Sequence, residues 1–255
     1  MSASEKKEGI WDLIKVVAQA LLIAFVIRSF LYQPFNIPSG SMYPTLKIGD
    51  YLFVSKLSYG YSKYSFNFAV PVIGLSFGPV PIEGRKVLAE PPLRGDVVVF
   101  KLPTDNETDY IKRVIGLPGD RIQMKEGVLH INGEAVKKEP VEDYSDPQVE
   151  LGAPVKQFRE TLPNGVTYLT LDIQNSAADN TEEYVVPEGH YFMMGDNRDN
   201  STDSRFLKQV GYVPYENLVG RAEIIFFSWD GEVPFWQIWK APIAIRWSRL
   251  LHLVN

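Results

Sequence analysis

The chain contains no cysteine. That removes a thiol nucleophile, a cysteine zinc site, an iron–sulfur cluster and a disulfide framework together. Histidine is scarce: His130, His190 and His252 are the full set, far apart in sequence and in no H-E-x-x-H run. This argues against a zinc hydrolase. Any imidazole base would have to come from the same three residues. Basic charge is in the minority, with 26 Lys and Arg against 31 Asp and Glu for a net −5, and no basic stripe appears. No nucleic-acid partner is expected, and neither a metal nor another cofactor is called for.

What the chain does have is size. Its 255 residues, 45% hydrophobic and 22% charged, are enough to bury a core without staples. Gly 19 and Pro 18 point to many turns without a repeat.

Residues 10–32 read IWDLIKVVAQALLIAFVIRSFLY. The uninterrupted apolar core, Ala20 to Ile27, is only eight residues, with Gln19 separating it from Val16–Ala18. Asp12 and Lys15 sit near one end and Arg28 near the other, where long side chains reach the headgroups. Trp11 and Tyr32 bracket the run as interfacial aromatics. As a helix the span is roughly 33 Å long at about 1.5 Å per residue, enough to cross a bilayer. Pro34 and Pro38 then stop it. The expectation is an uncleaved signal-anchor helix. A signal peptide cleaved near Ser39-Gly40-Ser41, or a helix of a soluble domain, are the other readings. Lys6, Lys7 and Lys15 favour a cytoplasmic N-terminus, with Arg28 a weak counterweight.

The remainder is expected to be mostly β. Strand-like runs lie at 51–55, 97–101, 110–115, 121–124, 128–131, 166–173, 184–186, 191–194 and 222–229, separated by Gly, Pro, Asn and Asp. Asn132-Gly133 between VLHI and EAV predicts a hairpin whose turn needs positive φ. Segments 59–92 and 137–181 look like insertions. The expected organisation is a cytoplasmic N-terminus at 1–9, the transmembrane helix at 10–32, an antiparallel β catalytic core at 33–125 and 185–234, a smaller inserted β lobe at 126–184, and an aromatic tail at 235–255. The tail, with three Trp and interspersed Arg and Lys, suits either a membrane surface or a last core segment.

Three blocks carry the chemistry. Residues 37–46 put Ser39, Gly40 and Ser41 between stiffening prolines, a loop able to expose a hydroxyl; alone, such a loop is usually only a turn. Residues 108–120 alternate Tyr110, Lys112 and Val114 on one strand face against Ile111, Arg113 and Ile115 on the other. A strand lysine there is ordinarily an edge residue. If buried, it becomes a base: its pKa must fall from about 10.4 to roughly 7–8, a cost of about 4 kcal/mol. Residues 195–205, GDNRDNSTDSR, resemble a calcium loop in flavour but lack its glycine and terminal glutamate, which leaves Asp–Arg pairing around a site.

Taken in order, P-S-G-S-M-x-P-T-L, then R-G-D-V-V-V-F, then Y-I-K-R-V-I-G-L-P-G-D, then G-D-N-R-D-N-S-x-D-S-R, together with Gly49-Asp50-Tyr51, resemble the ordered boxes of bacterial type I signal (leader) peptidases. The likeness runs from about residue 33 to 230 and is poor over 59–92 and 137–181. It implies a membrane-bound serine endopeptidase that cuts signal peptides from exported preproteins after small residues at −1 and −3. By motif position it implies Ser41 as nucleophile and Lys112 as general base. Ser39 would join the Ser41 backbone N–H in an oxyanion hole, and Ser201 would orient Lys112 by a hydrogen bond. Asp203 and Arg205 would hold the site as an ion pair, with Arg113 and Asp196 nearby. Phe35, Ile37, Pro38, Met42, Val99, Tyr110 and Ile111 would line the pockets. The implied partners are signal peptides and the lipid bilayer. The implied location is the bacterial inner membrane, single-pass, with the catalytic part outside the cytoplasm. Some relatives carry two membrane helices before the nucleophile; this chain has room for one.

The residues leave rival classes. One is a soluble Ser/Lys autoprotease of the repressor-cleaving kind. Another is a membrane-anchored, non-catalytic β module that binds extended peptides.

Overall fold

The structure is a computed structural model that describes residues 3–65, 68–70, 75–77, 90–146, 155–230, 233 and 236–254. Much of the 59–92 segment, the middle of the 126–184 lobe and the start of the aromatic tail lie outside the described residues.

Helix α1 spans Ala3–Val26, followed by a wider π-turn at Ile27–Leu31. The sequence predicts one helix to Tyr32. The last turn widens because the Ser29 hydroxyl bonds back to the Phe25 carbonyl at 2.5 Å, competing with the backbone ladder. Residues 10–31 are apolar and long enough to span a bilayer. Their large side chains, among them Leu21, Leu22 and Phe25, are exposed.

The strands that follow are β1 Tyr32–Asn36, β2 Asp50–Ser55, β3 Phe68–Val70, β4 Leu75–Phe77, β5 Val97–Lys101 and β6 Asp109–Gly116. Next come β7 Arg121–Lys125, β8 Val128–Ile131, β9 Glu134–Ala135, β10 Lys137–Pro140, β11 Lys156–Thr161 and β12 Thr167–Asp172. The last are β13 Tyr184–Val185, β14 His190–Met194, β15 Val213–Pro214, β16 Leu218–Ser228 and β17 His252–Leu253. The fold is mostly β, as predicted, and all the strand pairs among the described residues are antiparallel.

The main sheet runs β1-β2-β16-β5-β6-β14-β15, with β17 also on β16. β16 shifts register after Leu218, Ala222 and Ile225, and these bulges let one strand bind β2, β5 and β17 in turn. Strand β5 is buried on both faces. Val97 and Val99 pack with Met42, Leu46 and Leu52, while Val98 and Phe100 pack with Val114, Met193 and Leu218. That is why VVVF reads as an unbroken apolar run rather than an alternating one.

Two smaller sheets, β13-β7-β8-β9 and β10-β11-β12, share a core with the main one: Ile122, Leu129, Leu162 and Tyr168 pack against Ile115, Phe192 and Met194. The β8–β9 turn has φ of 55° at Asn132 and 86° at Gly133, the positive pair the sequence calls for. β1 is absent from the expected strands because Pro34 interrupts it. Among the described residues it pairs only with β2, and proline is tolerated on such an edge. In the tail, Trp236, Trp239 and Trp247 are 61–70% exposed, whereas Ala244 is fully buried and Val254 packs against the cluster of Ile37, Val97 and Ala222.

Candidate active site

The loop from β1 to β2 carries Ser41. It closes on itself through Ile37 N–H to the Asp50 carbonyl (2.9 Å) and Gly49 N–H to the Ile37 carbonyl (3.0 Å). Asp50, fully buried, gathers the Lys47 N–H, the Ser228 hydroxyl and the Arg249 guanidinium. Arg249 also donates to the Thr45 carbonyl at 2.9 Å. Within the loop, Gly40–Met42 form a buried 3₁₀ turn, and Ser41 is 8% exposed. Ser39, just before the turn, is extended and exposed.

Strand β6 brings Lys112 to it. Lys112 is 4% exposed, and its Nζ lies 2.7 Å from Ser41 Oγ and 3.0 Å from the Ile111 carbonyl. The Tyr110 ring centroid is 5.3 Å from the same nitrogen. Burial pulls the Lys112 pKa down to about 8, against the weaker upward pull of Asp203 and Asp196. Neither carboxylate forms an ion pair with Lys112; each has its own arginine.

Those pairs are buried and bidentate. Arg113, fully buried, gives Nε and Nη2 to Asp196 at 2.8 and 2.7 Å, and Nη1 to the Gly95 carbonyl. Arg205 gives Nε and Nη2 to Asp203, both at 2.9 Å. Asp203 is held below the usual carboxylate range, because Arg205 and the Gly195 N–H outweigh its burial. With Asp196 and Asp203 so occupied, the lysine is left without an opposite charge in contact.

The β14–β15 connection locks the two halves together. Asn197 N–H donates to the Ser41 carbonyl (3.1 Å) and Asn197 Nδ2 to the Gly40 carbonyl (3.0 Å). A Cβ on Gly195 would stand 2.2 Å from Ser201 Oγ and 2.6 Å from the Ser41 carbonyl oxygen, so only glycine fits.

Ser201 is buried beside this loop, but its hydroxyl makes no hydrogen bond to Lys112; it lies instead against the Asp203 carboxylate, whose charge it helps to hold. Of the expected pocket residues, Phe35, Ile37, Met42, Val99 and Ile111 form one apolar cluster. Tyr110 belongs to a neighbouring cluster, and Pro38 is exposed.

Several contributors escaped the sequence reading. The Thr45 hydroxyl bonds Asp196 Oδ2 at 2.6 Å. Glu160 on β11, fully buried, takes Arg198 through both oxygens at 2.6 Å and the Tyr168 hydroxyl at 2.7 Å. The Tyr168 ring lies 4.2 Å from the Arg113 guanidinium carbon. Arg198 stands in the quoted 195–205 block, but its partner lies in the lobe where the motif likeness is poor. Among the described residues no group of three or more His, Asp or Glu is placed to hold a metal ion.

A peptidase S26 family model matches residues 10–229, which makes this a serine endopeptidase, a hydrolase. The chain belongs to the signal peptidase family, peptidase S26. It is 42% identical over 228 residues to signal peptidase I of Rickettsia conorii, covering 85% of this chain and 81% of that one. With signal peptidase I of Rickettsia typhi the identity is 43% over 225 residues, covering 84% and 80%. A crystal structure of a signal peptidase I from Enterococcus faecalis V583 is 26% identical, covering 52% of this chain and 97% of that one, with a TM-score of 0.31.

Proposed function

We propose that this chain cleaves signal peptides from exported preproteins at the outer face of the inner membrane, with Ser41 as nucleophile and neutral Lys112 as general base. The observation that carries the reading is the 2.7 Å contact between Ser41 Oγ and an amine buried away from any carboxylate in contact. Uncharged Lys112 takes the Ser41 proton as the oxygen attacks the scissile carbonyl. The oxyanion is received by the Ser41 backbone N–H and the Ser39 hydroxyl. The ammonium then returns its proton to the leaving amine, and water, activated the same way, hydrolyses the acyl-enzyme. The Ser201 hydroxyl, beside Asp203, is assigned to Lys112 in its charged form. The apolar cluster of Phe35, Ile37, Met42, Val99 and Ile111, with Tyr110 and Pro38 at its margin, accepts small residues at −1 and −3 and rejects larger ones by overlap.

The apolar helix at residues 10–31 is read as a membrane anchor, with the lysine-bearing N-terminus in the cytoplasm. The catalytic core at 33–125 and 185–234 and the lobe at 126–184 then stand outside it.

The test is cleavage of a full-length preprotein by wild type, Ser41→Ala, Lys112→Ala and Lys112→Arg. All three variants should express and lose cleavage, arginine failing because it stays protonated. Cleavage retained by Lys112→Ala would remove the lysine from the mechanism.

A further inference from the structure

The end of the apolar helix is tied to the catalytic sheet by donors that neither the motifs nor the mechanism use. A helix leaves its last four carbonyls without partners, a costly arrangement at a membrane boundary. Here three consecutive carbonyls of the π-turn are taken by one short segment after β2. The Leu31 carbonyl accepts from the Lys56 backbone N–H at 2.9 Å, and the Ser29 carbonyl from Lys56 Nζ at 3.4 Å. The Phe30 carbonyl accepts from the Tyr61 hydroxyl at 2.5 Å.

Lys56 is 1% exposed and Ser29 equally so, although both follow runs of exposed or strand residues. Lys56 Nζ is anchored on its other side by the Ser65 carbonyl at 2.6 Å. Its ammonium meets the carbonyl end of the helix, with burial and the nearby Arg28 opposing its charge. The Phe30 and Tyr61 rings meet edge to face at 6.3 Å. From Tyr32 the chain enters β1 with no free linker, paired Tyr32 to Ser55 through Asn36 to Tyr51, and reaches Ser41 five residues beyond the strand.

We propose that Lys56 and Tyr61 are positioning residues that latch the membrane anchor to the catalytic sheet and thereby fix the height of Ser41 above the bilayer, selecting which peptide bond of a membrane-inserted substrate is cut. This rests on the signal-peptidase reading. The latch touches no part of the Ser41–Lys112 site, so its loss leaves the chemistry intact. What changes is the geometry between the site and the lipid. A substrate held by its own membrane helix feels that change; a soluble peptide does not.

The experiment uses the full chain in phosphatidylethanolamine/phosphatidylglycerol vesicles. Lys56→Met and Tyr61→Phe, singly and together, are compared with wild type on two substrates: a soluble peptide spanning a cleavage site, and a preprotein whose signal helix is inserted in the same vesicles. The double variant should keep peptide kcat/KM within about twofold. It should cleave the inserted preprotein at least tenfold more slowly, or at displaced bonds when several small residues are offered. Because the chain has no cysteine, a fluorophore on exposed Lys208→Cys gives a second readout. Its energy transfer to acceptor lipids should report one narrow distance in wild type and a broader one in the double variant. Parallel loss on both substrates, or unchanged cleavage and distance, overturns the latch. Wild type cleaving neither substrate would instead overturn the functional reading, and the proposal with it.

Discussion

In the proposed mechanism, the burial that gives Lys112 its value to catalysis is a cost to folding. Its pKa falls from 10.5 to about 8 on burial, which corresponds to about 3 kcal/mol. The folded chain therefore binds fewer protons than the unfolded chain between about pH 8 and 10.5. The penalty is complete below pH 8 and fades as pH rises through that window. Lys112→Met should thus be inactive yet more stable than wild type by up to about 3 kcal/mol at pH 7, the gain vanishing above about pH 10.5. Denaturant titrations at pH 7 and pH 10.5 check this; equal gains at both would mean the lysine is not desolvated as described. Gly195 makes the complementary case. Its alanine variant must push both Ser201 and the Ser41 carbonyl aside. A displacement near 1 Å should cost about 100-fold in kcat with little change in KM.

At the scale of elements, the sequence was most legible where burial is regular. The runs at 97–101 and 128–131 match β5 and β8 end to end, and the Asn132-Gly133 turn lies where its φ preference requires. β1, β3, β4, β10, β11, β15 and β17 were missed. Pro34 hides an edge strand, and Lys137–Pro140 is too polar to show a face until it is paired with β11. The site divides in the same way. Ser41, Lys112, Arg113, Asp196, Asp203 and Arg205 sit in compact motifs, and the structure brings them together. Glu160 and Tyr168 carried no signal, because a buried carboxylate is recognised only by the arginine it meets. The Glu160–Arg198 pair is fully desolvated, so removing one partner strands the other. Glu160→Ala should destabilise by about 3–5 kcal/mol, whereas the exposed pair Lys137–Glu139 should be worth about 0–1 kcal/mol. Chemical denaturation of Glu160→Ala and Glu139→Ala measures the contrast.

At the scale of the whole molecule, an apolar helix with exposed side chains leads without a linker into the strand before the nucleophile. Exposed Trp236, Trp239 and Trp247, with Lys240 and Arg246, follow the far end of the main sheet. On the proposed reading the helix supplies proximity: an anchored enzyme meets an anchored substrate at high effective concentration. Deleting residues 10–31 should abolish co-flotation with vesicles. It should lower cleavage of an inserted preprotein by about 10²–10⁴ while sparing a soluble peptide. Equal losses on both substrates would show that the helix supports the fold rather than the encounter.

The central claim is that a buried, uncharged lysine removes the Ser41 proton. Its most direct test is the pH dependence of kcat/KM on a soluble peptide. Burial also pulls Lys56 down to about 8, so the profile is measured in wild type and in Lys56→Met alike. Activity should rise through an acidic limb near pH 8 in both, tracking the loss of the Lys112 proton. A limb near pH 10.4, the value of a hydrated lysine, or one that moves with Lys56, would contradict the account.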